Sequence, residues 1–68
     1  MNKKLYLKVI EYINKEIKSG NLTYGDKILS ESQLSKLLDV SVGTIRKAVD
    51  KLENNNILHR QHGKGTFV

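Results

Sequence analysis

Apolar residues recur three or four positions apart in three stretches of the chain, the spacing of a helix that buries one face. The first stretch predicts a helix from Leu5 to about Ser19. Gly20 follows, and glycine tolerates the left-handed conformation in which many helices end. The predicted buried stripe consists of Tyr6, Val9, Ile10, Ile13 and Ile17.

The second stretch is shorter and begins with a helix-start signal. Ser30 and Gln33 have the spacing of a capping box, in which each side chain bonds the backbone amide of the other residue. We expect a helix from about Glu31 to Leu38. Its inward side chains should be Leu34, Leu37 and Leu38.

The third stretch covers residues 41–54, with Ser41 as a good N-cap. Its apolar face is formed by Ile45, Ala48, Val49 and Leu52, and its opposite face by Gly43, Arg46, Lys47 and Asp50. The helix should end near Asn54–Asn56, because asparagine tolerates left-handed geometry. Only Asp39 and Val40 separate it from the second helix, so the pair has the arrangement of a helix-turn-helix, with Val40 filling the turn.

After residue 56 the pattern changes to that of short strands. Residues 57–61 and 66–68 predict a β-hairpin, with the glycine-rich tip His62–Gly65. Residues 27–29 predict a further short strand before the second helix. The resulting fold class is mainly α with a small β-hairpin. It is a winged helix-turn-helix over residues 1–68, with a thin basic wing at about 57–68 suited to the minor groove.

The composition of the chain narrows the range of possible functions. Twelve Lys and Arg against seven Asp and Glu give a net charge of +5, which favours a polyanionic partner. There is no cysteine, and His59 and His62 are an odd number of residues apart on a strand, so we expect neither a metal site nor another cofactor. No Ser-His-acid set is apparent, so we do not expect an enzyme.

A membrane role is also disfavoured. No apolar run approaches the roughly 20 residues of a membrane span. The polar face of the first helix carries Glu11 and Glu16, which argues against binding to a membrane surface. We expect a cytoplasmic protein.

Several motifs together resemble the N-terminal domain of GntR-family bacterial transcription regulators. They are Gly25-Asp26-Lys27-Ile28-Leu29-Ser30-Glu31, Val40-Ser41-x-x-Thr44-Ile45-Arg46 and Gly63-Lys64-Gly65-Thr66-Phe67-Val68. The ending looks most like the HutC-type branch. The resemblance implies a winged helix-turn-helix that binds a palindromic double-stranded DNA operator as a homodimer, with the helix at about 41–54 in the major groove. It also implies a C-terminal effector-binding and dimerisation domain, which we expect to be absent from this chain and to be the only route for a small-molecule effector.

Thirteen positions are predicted to contact DNA. Arg46 matches the family arginine, and arginine can bond guanine O6 and N7 together or bind a phosphate. The wing residues match the minor-groove and backbone contacts of the family. The full set is Ser30, Ser32, Ser41, Val42, Gly43, Thr44, Arg46, Lys47, Gln61, His62, Gly63, Lys64 and Thr66.

This chain departs from the family pattern at four positions. Members often have proline where Tyr24 and Leu29 stand, and often arginine where Ser32 and Val42 stand. Base preference therefore cannot be transferred from the family. An alternative function is a winged helix used for protein–protein contact, which the retained cations Arg46, Lys47 and Lys64 argue against.

Overall fold

Three helices followed by a β-hairpin make up the fold. The computed structural model describes residues 3–68, with side chains from Leu5 onward; residues 1 and 2 of the predicted domain lie outside this description. The elements are α1 (Lys3–Lys18), α2 (Glu31–Leu38), α3 (Val42–Asn54), β1 (His59–Gln61) and β2 (Gly65–Phe67). The predicted helix bounds agree with the observed ones within two residues.

The core lies where α1 and α2 pack against α3. The helices α1 and α3 bury residues of the faces that their apolar spacing predicts, α2 buries Leu34, and Val40 is buried in the turn between α2 and α3. Burial of these side chains is the main favourable contribution to folding. The buried residues are Val9, Ile13, Ile28, Leu34, Val40, Ile45, Ala48, Val49, Leu52 and Leu58.

Side chains and backbone define both ends of α2. The Ser30 Oγ accepts a hydrogen bond from the Gln33 amide at 3.1 Å, and the Gln33 Oε1 accepts one from the Ser30 amide at 2.9 Å. This confirms the predicted capping box. At the other end Asp39 is left-handed, with φ 57°. The ammonium group of Lys8 on α1 donates to the Leu38 carbonyl at 2.9 Å, which joins the two helices.

The predicted inward position of Leu37 is wrong. Its side chain is 56% exposed, whereas Leu34 is buried and Leu38 is half-buried. The half-buried Ser35 donates to the Val40 carbonyl and so lies on the packed side of α2. Since successive residues are turned by about 100° on a helix, a packed side centred between Leu34 and Ser35 leaves Leu37 facing outward.

The hairpin is antiparallel, with His59 opposite Phe67, Arg60 opposite Thr66 and Gln61 opposite Gly65. Its first strand begins two residues later than predicted. The amides of Ile57 and Leu58 donate to the Leu52 carbonyl, at 2.9 and 3.3 Å. These two residues therefore close the end of α3 instead of pairing in the sheet.

The predicted strand at residues 27–29 is reduced to a single β-bridge between Lys27 and Phe67. The Ile28 amide donates to the Thr66 carbonyl at 2.9 Å, and the Val68 amide donates to the Asp26 carbonyl at 2.8 Å. The segment before α2 thus holds the base of the hairpin against the helices. Within residues 3–68, none of the helices has the length and apolar character needed to cross a membrane.

Candidate nucleic-acid interface

The first turn of α3 has an N-cap and a small exposed residue. The Ser41 Oγ accepts from the Thr44 amide at 3.1 Å and lies 2.9 Å from the Thr44 hydroxyl. Gly43 is exposed, and a Cβ built there would lie 3.9 Å from the Ser41 Oγ, its nearest neighbour. The positive end of the helix can therefore approach another surface closely.

Arg46 lies one turn further along α3 and is held by a carboxylate of α2. Its Nη2 donates to the Glu31 Oε1 at 2.8 Å, and its Nε donates to the Glu31 Oε2 at 3.3 Å. The arginine side chain is nevertheless 60% exposed. This hydrogen bond, together with the nearby negative charge of Glu31, raises the pKa of Arg46 above its ordinary value. The guanidinium is therefore charged and oriented.

Arg60 on β1 joins the wing to α3. Its Nη1 donates to Asp50 and, at 3.0 Å, to the Glu53 Oε1, while its backbone amide donates to the Glu53 Oε2 at 3.3 Å. Its Nη2 lies 3.9 Å from the Glu31 carboxylate. The hydrogen bond to Asp50 raises the pKa of Arg60 above its ordinary value despite partial burial. Four contacts to three carboxylates, on α2 and α3, thus fix the wing beside the third helix.

Lys47 is turned toward α1. Its ammonium group lies 5.1 Å from the centroid of the Tyr6 ring, and that of Lys51 lies 5.3 Å from the same ring. A cation over an aromatic face is attracted by the electrons of the ring. Lys47 is still exposed, so its predicted contact with DNA stays a prediction, made from the α1 side of the helix.

The wing tip is a tight turn closed by the Lys64 amide, which donates to the Gln61 carbonyl at 2.9 Å. Gly63 has a φ of 74°, a value that favours glycine, and open space surrounds the position of its missing Cβ. A cleft of about 390 Å³ lies between the wing and the start of α2. Six of the predicted contact residues line it: Ser30, Gln61, His62, Gly63, Lys64 and Thr66.

The remaining predicted residues lie outside that cleft. Ser32 is exposed on the first turn of α2, Ser41 caps α3, and the others, Val42, Gly43, Thr44, Arg46 and Lys47, lie on α3. Glu31 and Arg60, which the sequence did not place in the site, line the cleft as well. The sequence offered one indication of their role, namely that Glu31 and Arg60 carry opposite charges. Charge alone does not show which residues form a pair. No group of three histidine and acidic side chains within residues 3–68 is arranged to hold a metal ion.

Comparison with known proteins identifies the family. The model of the bacterial regulatory proteins of the gntR family matches residues 5–68. The transcriptional regulator GgaR of Escherichia coli K12 is 38% identical over 67 residues, which are 98% of this chain and 27% of GgaR. The transcriptional repressor NagR of Bacillus subtilis is 33% identical over 64 residues, or 94% of this chain and 26% of NagR. The chain thus spans about a quarter of the length of these relatives.

Comparison with solved structures leads to the same family. A structure of AraR(DBD) in complex with operator ORX1 has a TM-score of 0.90 and 38% identity, covering 94% of this chain and 77% of that one. A GntR family transcriptional regulator from Listeria monocytogenes has a TM-score of 0.91 and 31% identity, covering 100% of this chain and 61% of that one. The likeness extends over all the helices and the wing and confirms the predicted fold.

Assignment to the HutC-type branch stays a prediction, whereas membership of the family is shown. The matched range includes the capped α2, the third helix and the glycine-tipped wing, and the proteins it matches are regulators, not enzymes. This chain belongs to the gntR family of bacterial regulatory proteins and has its winged helix-turn-helix domain.

Proposed function

We propose that this domain binds double-stranded DNA sequence-specifically as part of a bacterial transcription regulator. The observation that carries the proposal is the match to AraR(DBD), crystallised with operator DNA, at a TM-score of 0.90 and 38% identity. In this arrangement α3 lies in the major groove and the wing lies at the minor groove. A helix of this kind reads base edges with the residues near its N-terminus.

The two capped helix starts supply contacts to the DNA backbone. Free amides at the first turn of a helix bind phosphate oxygens, and the helix dipole favours their negative charge. The hydroxyl groups of Ser30 and Ser32 at α2, and of Ser41 and Thr44 at α3, add contacts beside these amides. A backbone phosphate has no proton to donate, so Ser30 and Ser41 contact it by donating their hydroxyl hydrogens, while their oxygens accept a bond from their own helices.

The residues in the middle of the exposed face of α3 read the bases. Arg46 bonds guanine O6 and N7, and Val42 and Gly43 allow the helix to approach the bases. Val42 can contact a thymine methyl group. Lys47 adds attraction to phosphates at the flank of the helix.

The wing contributes affinity from the neighbouring groove. Lys64 lies at its tip, where a cation gains from the negative potential of a narrow minor groove. Gly63 keeps the tip thin. Gln61, His62 and Thr66 complete this group on the strands and turn of the hairpin.

We further propose that the domain works in a cytoplasmic homodimer on a palindromic operator. Its relatives are about four times as long as the matched region, which leaves room for the effector-binding and dimerisation domain that the family resemblance implies. A two-fold dimer would place the third helices about one DNA turn apart, or a multiple of it. The repressor among the relatives supports repression as its mode of action.

Selection from a pool of random DNA duplexes tests the proposal. The wild-type domain should enrich a defined motif and bind it more tightly than a scrambled duplex, with log affinity falling by about 0.9 per neutralised phosphate as log salt rises. Arg46→Ala should lower the ratio of selected to scrambled affinity by about 5- to 150-fold, the range for one bidentate base contact. Lys18→Ala, which removes an exposed cation from the end of α1, is the matched control and should preserve the ratio.

Two results would count against the proposal. Absence of salt-dependent DNA binding would reject a DNA-binding role and favour the protein-contact alternative. Equal ratios for wild type and Arg46→Ala would reject Arg46 as the base-reading residue.

A further inference from the structure

Glu31 holds the base-reading arginine by one particular edge. A guanidinium has two edges that can each donate a pair of hydrogen bonds: Nε with Nη2, and Nη1 with Nη2. The Glu31 carboxylate occupies the first edge, at 3.3 Å from Nε and 2.8 Å from Nη2. The second edge, at the end of the side chain, is left for an external acceptor pair.

Glu31 is itself restrained. It is the first residue of α2, where the positive end of the helix stabilises a carboxylate, and its side chain is only 33% exposed. The Arg60 guanidinium lies 3.9 Å from its Oε2 and is tied in turn to Asp50 and Glu53. The position of the carboxylate is therefore set by α2, α3 and the wing together.

The pair also changes what Arg46 contributes electrostatically. A cation next to a carboxylate has little net charge to offer a phosphate, and so releases few counterions from DNA. Its free edge can still match guanine O6 and N7, because that contact depends on geometry. The arginine thus loses non-specific attraction while it keeps base discrimination.

We infer that Glu31 is a positioning residue for base readout: it orients Arg46 end-on toward the bases and suppresses its attraction to non-specific phosphates. This inference rests on the proposed function. It assigns selectivity to a carboxylate of the second helix, which was otherwise expected only to support the fold.

The test compares Glu31→Gln with Glu11→Gln, which removes the same charge from the exposed side of α1. Affinities for the selected and scrambled duplexes are measured over a range of salt concentrations. Glu31→Gln should bind the scrambled duplex more tightly, with a salt slope steeper by about 0.9, because Arg46 becomes free to neutralise one more phosphate. Its ratio of selected to scrambled affinity should fall by about tenfold, within the range for one bidentate contact. Glu11→Gln should leave the ratio unchanged.

Glu31→Asp separates orientation from charge and serves as a second variant should Glu31→Gln fold poorly. It keeps the negative charge but shortens the side chain by one methylene. We expect wild-type affinity for the scrambled duplex and reduced affinity for the selected one. In an Arg46→Ala background, Glu31→Gln should have no further effect on the ratio.

The failure of this inference differs from the failure of the proposed function. An unchanged ratio for Glu31→Gln in a protein whose wild type prefers the selected duplex would overturn the inference alone. An equal loss with and without Arg46 would also overturn it, since Glu31 would then act without the arginine. If the wild type showed no preference, both would be rejected.

Discussion

At the scale of single residues, the cations of this domain divide into those used inside the fold and those free to meet a partner. Arg60 is tied to carboxylates, and Lys8 bonds the last carbonyl of α2. Lys47 lies over Tyr6. Lys64 stands at the exposed wing tip. The total of twelve Lys and Arg therefore overstates the number of cations available to DNA, and the salt dependence should reflect the free ones.

Gly43 offers a substitution that separates folding from binding. Because it lies in a helix with room for a methyl group, Gly43→Ala should stabilise the fold by up to about 1 kcal/mol. The added methyl should nevertheless weaken binding to the selected duplex, since it stands where α3 approaches the bases. Thermal unfolding and DNA titration of the same variant measure the two effects.

Asn54→Ala is the control, because it also replaces an exposed residue of α3 but at the far end of the helix. It should leave DNA affinity unchanged. Unchanged DNA affinity in Gly43→Ala would mean that this edge of the helix does not approach the DNA.

The pairing of Arg46 with Glu31 could not be predicted from the sequence. The two residues are 15 positions apart on different helices, so no local spacing rule connects them. The sequence identified Arg46 as exposed and Glu31 as structural. Only the packing of α2 across α3 brings the two side chains to hydrogen-bond distance.

At the scale of elements, α2 was predicted with its observed bounds because local signals determine both of its ends. The capping box of Ser30 and Gln33 starts the helix, and the left-handed Asp39 ends it. The start of β1 was predicted less well. Residues 57 and 58 were predicted to belong to the strand, yet their amides donate hydrogen bonds to the Leu52 carbonyl near the end of α3.

Loss of the cap should therefore destabilise the domain measurably. Ser30→Ala should lower the free energy of unfolding by about 1 kcal/mol, the usual effect of removing a serine N-cap. For a domain of this size that corresponds to a decrease in Tm of roughly 4–8 °C. Circular dichroism during heating provides the measurement.

Ser32→Ala changes the same kind of side chain two residues further along, on the exposed first turn of α2. It should leave Tm nearly unchanged and weaken DNA binding. A Tm for Ser30→Ala equal to that of the wild type would show that the capping box contributes nothing to stability.

At the scale of the whole molecule, a small buried core supports three separate structures: the starts of α2 and α3 and the tip of the wing. The core was largely predictable, since seven of the ten buried side chains in the described part of the chain follow the helical spacing. The exception is instructive: Leu37 fits the spacing but faces outward, because α2 packs through its Leu34–Ser35 side. The relative placement of the three structures required the fold, since bonds such as that of Ile28 to Thr66 connect distant parts of the chain.

The central claim is that these three structures together form one DNA-binding surface. NMR amide shifts, followed as the selected duplex is added to the labelled domain, test it most directly. We predict the largest changes within residues 30–32, 41–47 and 61–66, with small changes along the exposed side of α1. Changes concentrated on α1 and on the loop at Tyr24, with α3 and the wing unaffected, would contradict the account.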